Sequence, residues 1–124
     1  MNVSLNSIFD DFIFSHYPRS GYPFYDVYRN DQGYSLEIAL AGFHKEEIDV
    51  SAEDGFVYIK TERNTEEPMM KPVIQNIAKR DINVKYKIPE HHKIDMVVFH
   101  DGILKIWMQK ELPDHMKRIS LEIE

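Results

Sequence analysis

The stretch IDVSAEDGFVYIKTER, residues 48–63, decides the fold. Ile48, Val50 and Ala52 alternate with Asp49, Ser51 and Glu53, Asp54-Gly55 breaks the pattern, and a second apolar run starts at Phe56. Successive side chains of a strand point to opposite faces, so a period of two marks a strand with one buried face. Asp and Gly tolerate the positive φ angles of a two-residue type I′ turn. The stretch therefore predicts a hairpin joining residues 48–53 to residues 56–63.

The same device recurs downstream. Asp101-Gly102, flanked by apolar residues, predicts a second hairpin joining residues 95–100 to residues 103–109. Upstream, Tyr34, Leu36, Ile38 and Leu40 alternate with Ser35, Glu37 and Ala39, and the period-two signal already begins at Tyr25. Between the hairpins, Ile82, Val84, Tyr86 and Ile88 face inward while Asn83, Lys85 and Lys87 face outward, and Pro89 ends the strand. Short antiparallel strands at this spacing, with almost no helix among them, make an all-β chain and a β-sandwich. Residues 64–79 are richer in charge and proline and form a long excursion; loops of that length without their own structure are uncommon and often functional.

Both ends depart from the central pattern. Leu5, Ile8, Phe9, Phe12 and Ile13 share one helical face, with Asp10 and Asp11 opposite, which predicts a short N-terminal amphipathic helix. A helix below about 12 residues is marginal alone in water, so it either docks on its own domain or is an apolar arm for partners and clients. Residues 15–23, with two prolines and Gly21, read as a linker. The chain closes on RISLEIE, where Ile119, Leu121 and Ile123 alternate with Ser120, Glu122 and Glu124. A strand that short, with no following turn, needs an edge or groove supplied by something else. The organisation is an arm (residues 1–21), a sandwich (22–112) and a C-terminal extension (113–124).

Composition excludes several functions. The 124 residues suit one domain, and 43% hydrophobic with 29% charged residues is the balance of a soluble globular protein. Against 21 Asp and Glu stand 15 Lys and Arg; the net charge of -6 disfavours nucleic acid and anionic membrane as partners. Without cysteine there is neither a disulfide nor a thiolate metal site, which suits a reducing cytoplasm. The first residues lack the basic start of a secretion signal, and no apolar run approaches the ~20 residues of a membrane span.

Little chemistry is on offer. No phosphate-binding Gly-rich loop, G-x-S-x-G or H-E-x-x-H motif occurs. His91, His92, His100 and His115 read as solvated loop residues with no carboxylate at ligand spacing, so no metal and no cofactor is expected. Glu46-Glu47 and Glu66-Glu67 are runs on a solvated face rather than an acid-base pair. Trp107, alternating with its apolar neighbours, reads as a core or edge anchor. The residues alone point to a non-enzymatic sandwich with an apolar arm at each end.

Four pieces in this order carry a resemblance: Leu40-Ala41-Gly42-Phe43 leading to the Asp54-Gly55 hairpin, Asp101-Gly102-Ile103-Leu104, Lys110-Glu111-Leu112-Pro113, and the Leu-Glu-Ile tail. From Gly21 to the end the chain resembles the small heat-shock proteins of the bacterial inclusion-body-binding type, with Asp101, Gly102 and Leu104 at the family's signature turn. The resemblance implies an α-crystallin domain, an immunoglobulin-like antiparallel sandwich that binds unfolding client proteins without ATP. It implies dimers that exchange a strand carried on the long loop, here residues 70–76, with Val73, Ile74 and Ile77 meeting the partner's sheet edge. It implies larger homo-oligomers clamped by the tail, for which Leu121 with Ile123 is the expected register and Ile119 with Leu121 the other. The expected apolar groove is Ile48, Val50, Met96 and Val98; the expected client-binding arm is Leu5, Ile8, Phe9, Phe12 and Ile13. One departure stands out: where the family has an arginine two residues after an aromatic, this chain has Val84 after Ile82, so the family's charge pairs at the dimer seam are not carried over. Two other classes fit a bare sandwich, an immunoglobulin-like structural module and a monomeric co-chaperone serving an ATP-dependent chaperone. The structural module gives the tail no purpose.

Overall fold

The computed structural model describes residues 10, 14–18, 21–63, 69–76, 80–111 and 120–124. Its strands are β1 (Tyr25–Asn30), β2 (Gly33–Ala39), β3 (Ile48–Glu53), β4 (Phe56–Thr61), β5 (Asn83–Lys87), β6 (His92–His100) and β7 (Ile103–Lys110). Both Asp-Gly hairpins form in the expected register, with Glu53 opposite Phe56 and His100 opposite Ile103. Asp54 and Gly55 adopt φ of 52° and 81°, Asp101 and Gly102 of 53° and 77°, as a type I′ turn demands. A third hairpin joins β1 to β2. There the Asn30 side-chain oxygen accepts from the backbone N–H groups of Gln32 and Gly33 at 2.8 and 3.1 Å, a side chain substituting for backbone in the turn.

The strands form a four-stranded sheet, ordered β1-β2-β7-β6, and a three-stranded sheet, ordered β3-β4-β5, with antiparallel pairing throughout. Between them lie Leu36 and Ile38 of β2, Leu104, Ile106 and Met108 of β7, Val57 and Ile59 of β4, and Tyr86 of β5, all buried. This is the expected sandwich. Ile82 and Tyr86 are buried, and Val84 and Ile88 pack against the same core, so the inward alternation expected of this segment holds. Thr61 is the buried polar residue; its hydroxyl accepts from the Ile82 N–H at 2.7 Å, and its own N–H donates to the Ile82 carbonyl at 2.9 Å.

Two expectations need correcting. Residues 15–23 are not a plain linker: Tyr17 is 3% exposed and belongs to the core, and Pro23 is fully buried. The space between the sheets near β1 and β5 is filled by aromatic rings, and Tyr17 supplies one from outside the strands, meeting Tyr86 at 5.3 Å and Phe14 at 4.4 Å. Trp107, in turn, is not core. Leu104, Ile106 and Met108 take the inward positions of β7, which leaves Trp107 half-buried on the outer face, its indole N–H donating to Gln109 Oε1 at 2.9 Å.

Candidate functional site: open sheet edges and exposed apolar segments

Tyr25 of β1 meets Tyr86 of β5 ring to ring at 5.3 Å, so β1 lies over β5. Given the strand orders, β6 then lies over β3. The sandwich thus has two sides, each bounded by edge strands whose outer edge meets no further strand among the described residues.

On the β3/β6 side, Ile48 and Val50 are half-buried and pack toward the core. Met96 and Val98 do not join them. The two-residue turn fixes His100 opposite Ile103, which puts Val98 opposite Lys105 and Met96 opposite Trp107, all on the outer face. The inward residues of β6 are Phe99 opposite Leu104, Val97 opposite Ile106 and, beyond a bulge at Asp95, Ile94 opposite Met108. The run Met96-Val97-Val98-Phe99 carries no alternation, so its faces are legible only by counting back from the turn. Val97, although inward, is 42% exposed and so opens onto the groove. The inward-facing residues along this side are therefore Ile48 and Val50 of β3 and Ile94, Val97 and Phe99 of β6.

The C-terminal residues that could enter such a groove are bare, Leu121 at 83% and Ile123 at 100% exposure. Ile119 lies outside the described residues, as do Ile77 of the loop and Leu5, Ile8, Phe9, Phe12 and Ile13 of the arm. In the loop, Val73 and Ile74 are 96% and 80% exposed, and Met69 and Met70 stand beside them with no apolar cover. Among the described residues of the domain, no other branched aliphatic side chains stand so completely in water.

The β1/β5 side carries an open cavity of about 590 Å³, lined by Tyr22, Phe24, Arg80, Ile82 and Val84. The Arg80 guanidinium lies over the Tyr22 ring, 4.9 Å from its centre. At the other end of β1, beside its turn into β2, Asp10 accepts from the Tyr34 hydroxyl at 2.7 Å and pairs with Arg29 at 2.8 Å. Burial and the Asp10 carboxylate push Tyr34 up to about 12.

The signature turn works structurally. The Leu40 N–H donates to the Gly102 carbonyl at 2.8 Å, and Leu104 is buried two residues on. A Cβ on Gly102 would stand 3.2 Å from Ala41 Cα at a φ that disfavours side chains, so glycine lets this turn close against the end of β2. Two histidines differ from expectation. His92 opens β6 and tilts against the Tyr34 ring at 5.2 Å, and His100 closes the same strand with Nδ1 2.8 Å from Asp101 Oδ2. No cluster of three or more His, Asp and Glu among the described residues is placed to hold a metal ion.

This geometry has known counterparts. The model of the Hsp20/alpha crystallin family matches residues 26–124. The chain belongs to the Hsp20/alpha crystallin family. Its relatives within that family include the small heat shock protein IbpA of Pectobacterium carotovorum, 31% identical over 105 residues that cover 84% of this chain and 77% of the relative. IbpA of Yersinia pestis is 30% identical over the same coverage. Among solved structures, a small heat shock protein from Synechococcus phage S-ShM2 superposes with a TM-score of 0.63 at 28% identity, covering 83% of this chain and all of that one. The small heat shock protein AgsA from Salmonella typhimurium, in a C-terminally truncated form, gives 0.62 at 24% identity over 82% of this chain and 98% of its own, a likeness of fold. The expected family and fold are therefore established, and the chaperone role follows from the family.

Proposed function

We propose that the chain is an ATP-independent holdase that binds partly unfolded proteins, prevents their aggregation, and assembles from dimers into larger oligomers. The observation that carries this reading is the coexistence of two open sheet edges with aliphatic segments held in solvent, Val73 and Ile74 in the loop and Leu121 and Ile123 at the tail. A soluble chain does not keep such residues bare without a surface to cover them. The loop strand meets an open edge of a partner subunit to build a dimer, with Ile77 adding a third apolar contact. The tail adds a strand at the β3/β6 groove of a neighbouring dimer, Leu121 and Ile123 entering adjacent pockets. Both are strand additions, in which backbone hydrogen bonds give affinity and alternate side chains give specificity.

Clients are held by weak, multiple apolar contacts, since removing apolar surface from water is worth roughly 25 cal/mol per Å² and depends little on client sequence. The arm residues Leu5, Ile8, Phe9, Phe12 and Ile13 belong to this capture surface. No nucleotide, metal or cofactor enters the cycle and no bond is made or broken. The working compartment is the cytoplasm; no helix among the described residues is long and apolar enough to cross a membrane. Nucleic acid and lipid are not partners in this reading.

Equimolar chain, without nucleotide, is expected to suppress the light scattering of a heated model protein. Unchanged scattering sinks the proposal. Native mass separates it from the two rival classes: large, polydisperse particles fit the holdase, whereas a monomer fits a structural module or a co-chaperone.

A further inference from the structure

We infer that the outer face of the four-stranded sheet is a second capture surface, separate from the groove, for short apolar and aromatic segments of non-native polypeptide. The inference rests on the holdase reading. Cross-strand pairing arranges this face in rows. Tyr28, Ser35, Trp107 and Met96 form one row, and Asp26, Glu37, Lys105 and Val98 the next. Ile103 stands in a third row between Ala39 and His100, and Phe24, whose carbonyl accepts from the Ala39 N–H at 2.9 Å, extends it. Phe24 is 73% exposed, Tyr28 54%, Met96 51%, Val98 40% and Ile103 37%. An open depression of about 490 Å³ runs over Met96, Val98 and Ile103. Among the described residues of the domain proper, half of the bare large apolar side chains are thus gathered on one sheet face.

Charge and area select the occupant. In the middle row Lys105 Nζ lies 3.3 Å from Glu37 Oε1 and Asp26 leaves one negative charge over, so the face carries no net positive charge that would draw a polyanion or an anionic membrane. With strands about 4.8 Å apart and about 3.3 Å per residue, the rows span about 14 by 13 Å between Cα atoms, on the order of 400 Å² once side chains are included. Two copies packed face to face would bury about 800 Å², short of the roughly 1,200 Å² of a stable interface. A short segment in rapid exchange needs no more than that. Methionine and aromatic rings adapt to unlike partners, and Trp107 spends its one polar group internally on Gln109.

Trp107 is the sole tryptophan of the chain and reports on its own surroundings. The probe is reduced insulin B chain, an apolar aggregating peptide without tryptophan, mixed with the full-length assembled protein. Expected are a blue shift of Trp107 emission and weaker quenching by acrylamide as aggregation is suppressed. The Met96→Glu, Val98→Glu double variant is expected to need about threefold more protein for equal suppression, from lost apolar contact in a weak interface, with particle size and melting unchanged. Emission and quenching that do not move while aggregation is suppressed would overturn the inference, as would a double variant that captures as well as the parent. Trp107 already shielded without client, and exposed on dilution, would make the face a contact between copies and overturn it too. If the parent protein suppresses nothing, the holdase reading fails and takes this inference with it.

Discussion

Tyr17 and Tyr86 meet edge to face with ring centroids 5.3 Å apart, and neither buried hydroxyl has a hydrogen-bond partner among the described residues. Burial, reinforced by neighbouring tyrosines, holds both well above the usual tyrosine range. The unfolded chain loses these protons near pH 10 while the folded chain keeps them, so the folded state binds more protons above that point. Stability is therefore expected to be level up to about pH 10 and to fall as pH rises beyond it. Tyr86→Phe removes an unsatisfied polar group and is expected to gain about 1 kcal/mol at neutral pH and to move the alkaline transition upward. Urea unfolding at pH 7 and at pH 11 measures both; a loss at pH 7 would mean that the hydroxyl is bonded.

Tyr17 also sets where the N-terminus can be cut. Tyr17→Ala is expected to cost about 3–5 kcal/mol, as for other large buried side chains. Deleting residues 1–20 should lower the melting temperature in the same way, whereas deleting residues 1–9 keeps Asp10 on Tyr34 and Arg29 and should spare melting while weakening client capture. Calorimetry on the two truncated chains decides it. Equal melting of both would remove Tyr17 from the core.

Gly33 admits no side chain. A Cβ there would overlap the Met108 carbonyl oxygen in the β2–β7 ladder, and the contact is backbone, which has little room to yield. Gly33→Ala is expected to cost about 2 kcal/mol or more, readable as a lowered urea midpoint with unchanged slope. Gly21→Ala, with open space around it, is the matched control.

Assembly should follow the inward side of β6. In the proposed assembly, burying two aliphatic side chains would gain roughly 3 to 6 kcal/mol gross, less the cost of ordering the tail, so one tail would hold weakly and many would hold a particle that exchanges subunits. Leu121→Ala is expected to shift the oligomer toward dimers, Ile123→Ala nearly as far, and Ile119→Ala little. Val97→Lys should act like Leu121→Ala, because Val97 shares the inner face with Ile106. Light scattering after chromatography measures the sizes; particles intact in Val97→Lys would place the tail elsewhere.

The sandwich was legible because its turns were. Asp54-Gly55 and Asp101-Gly102 fix two registers by themselves, and alternation through Leu36, Ile38, Val84 and Tyr86 supplies the inward faces. Where alternation fails, so does reading by eye. Met96-Val97-Val98-Phe99 is apolar throughout, and the bulge at Asp95 shifts the register on its far side, so the pattern does not show that Met96 and Val98 face outward while Val97 and Phe99 face inward. Tyr17 left no periodic trace because it is a single plug, placed by the gap between sheets rather than by a strand or helix. β1 was faint for the opposite reason: Tyr25 and Val27 are only partly covered, and its outer residues Tyr28 and Asp26 are exposed.

The bulge at Asp95 bears on the chaperone's own solubility. Strand β6 is an edge with apolar residues on both faces, four in succession, and such a segment is itself a template for fibril growth. Charge brackets it, with Lys93 and Asp95 on one side and Asp101 on the other, and the extra residue bends the ribbon away from the flat geometry that stacking requires. A member of a chaperone family thus carries gatekeepers against the stacking of its own edge. Straightening that edge by deleting Asp95 would turn the chain into a seed.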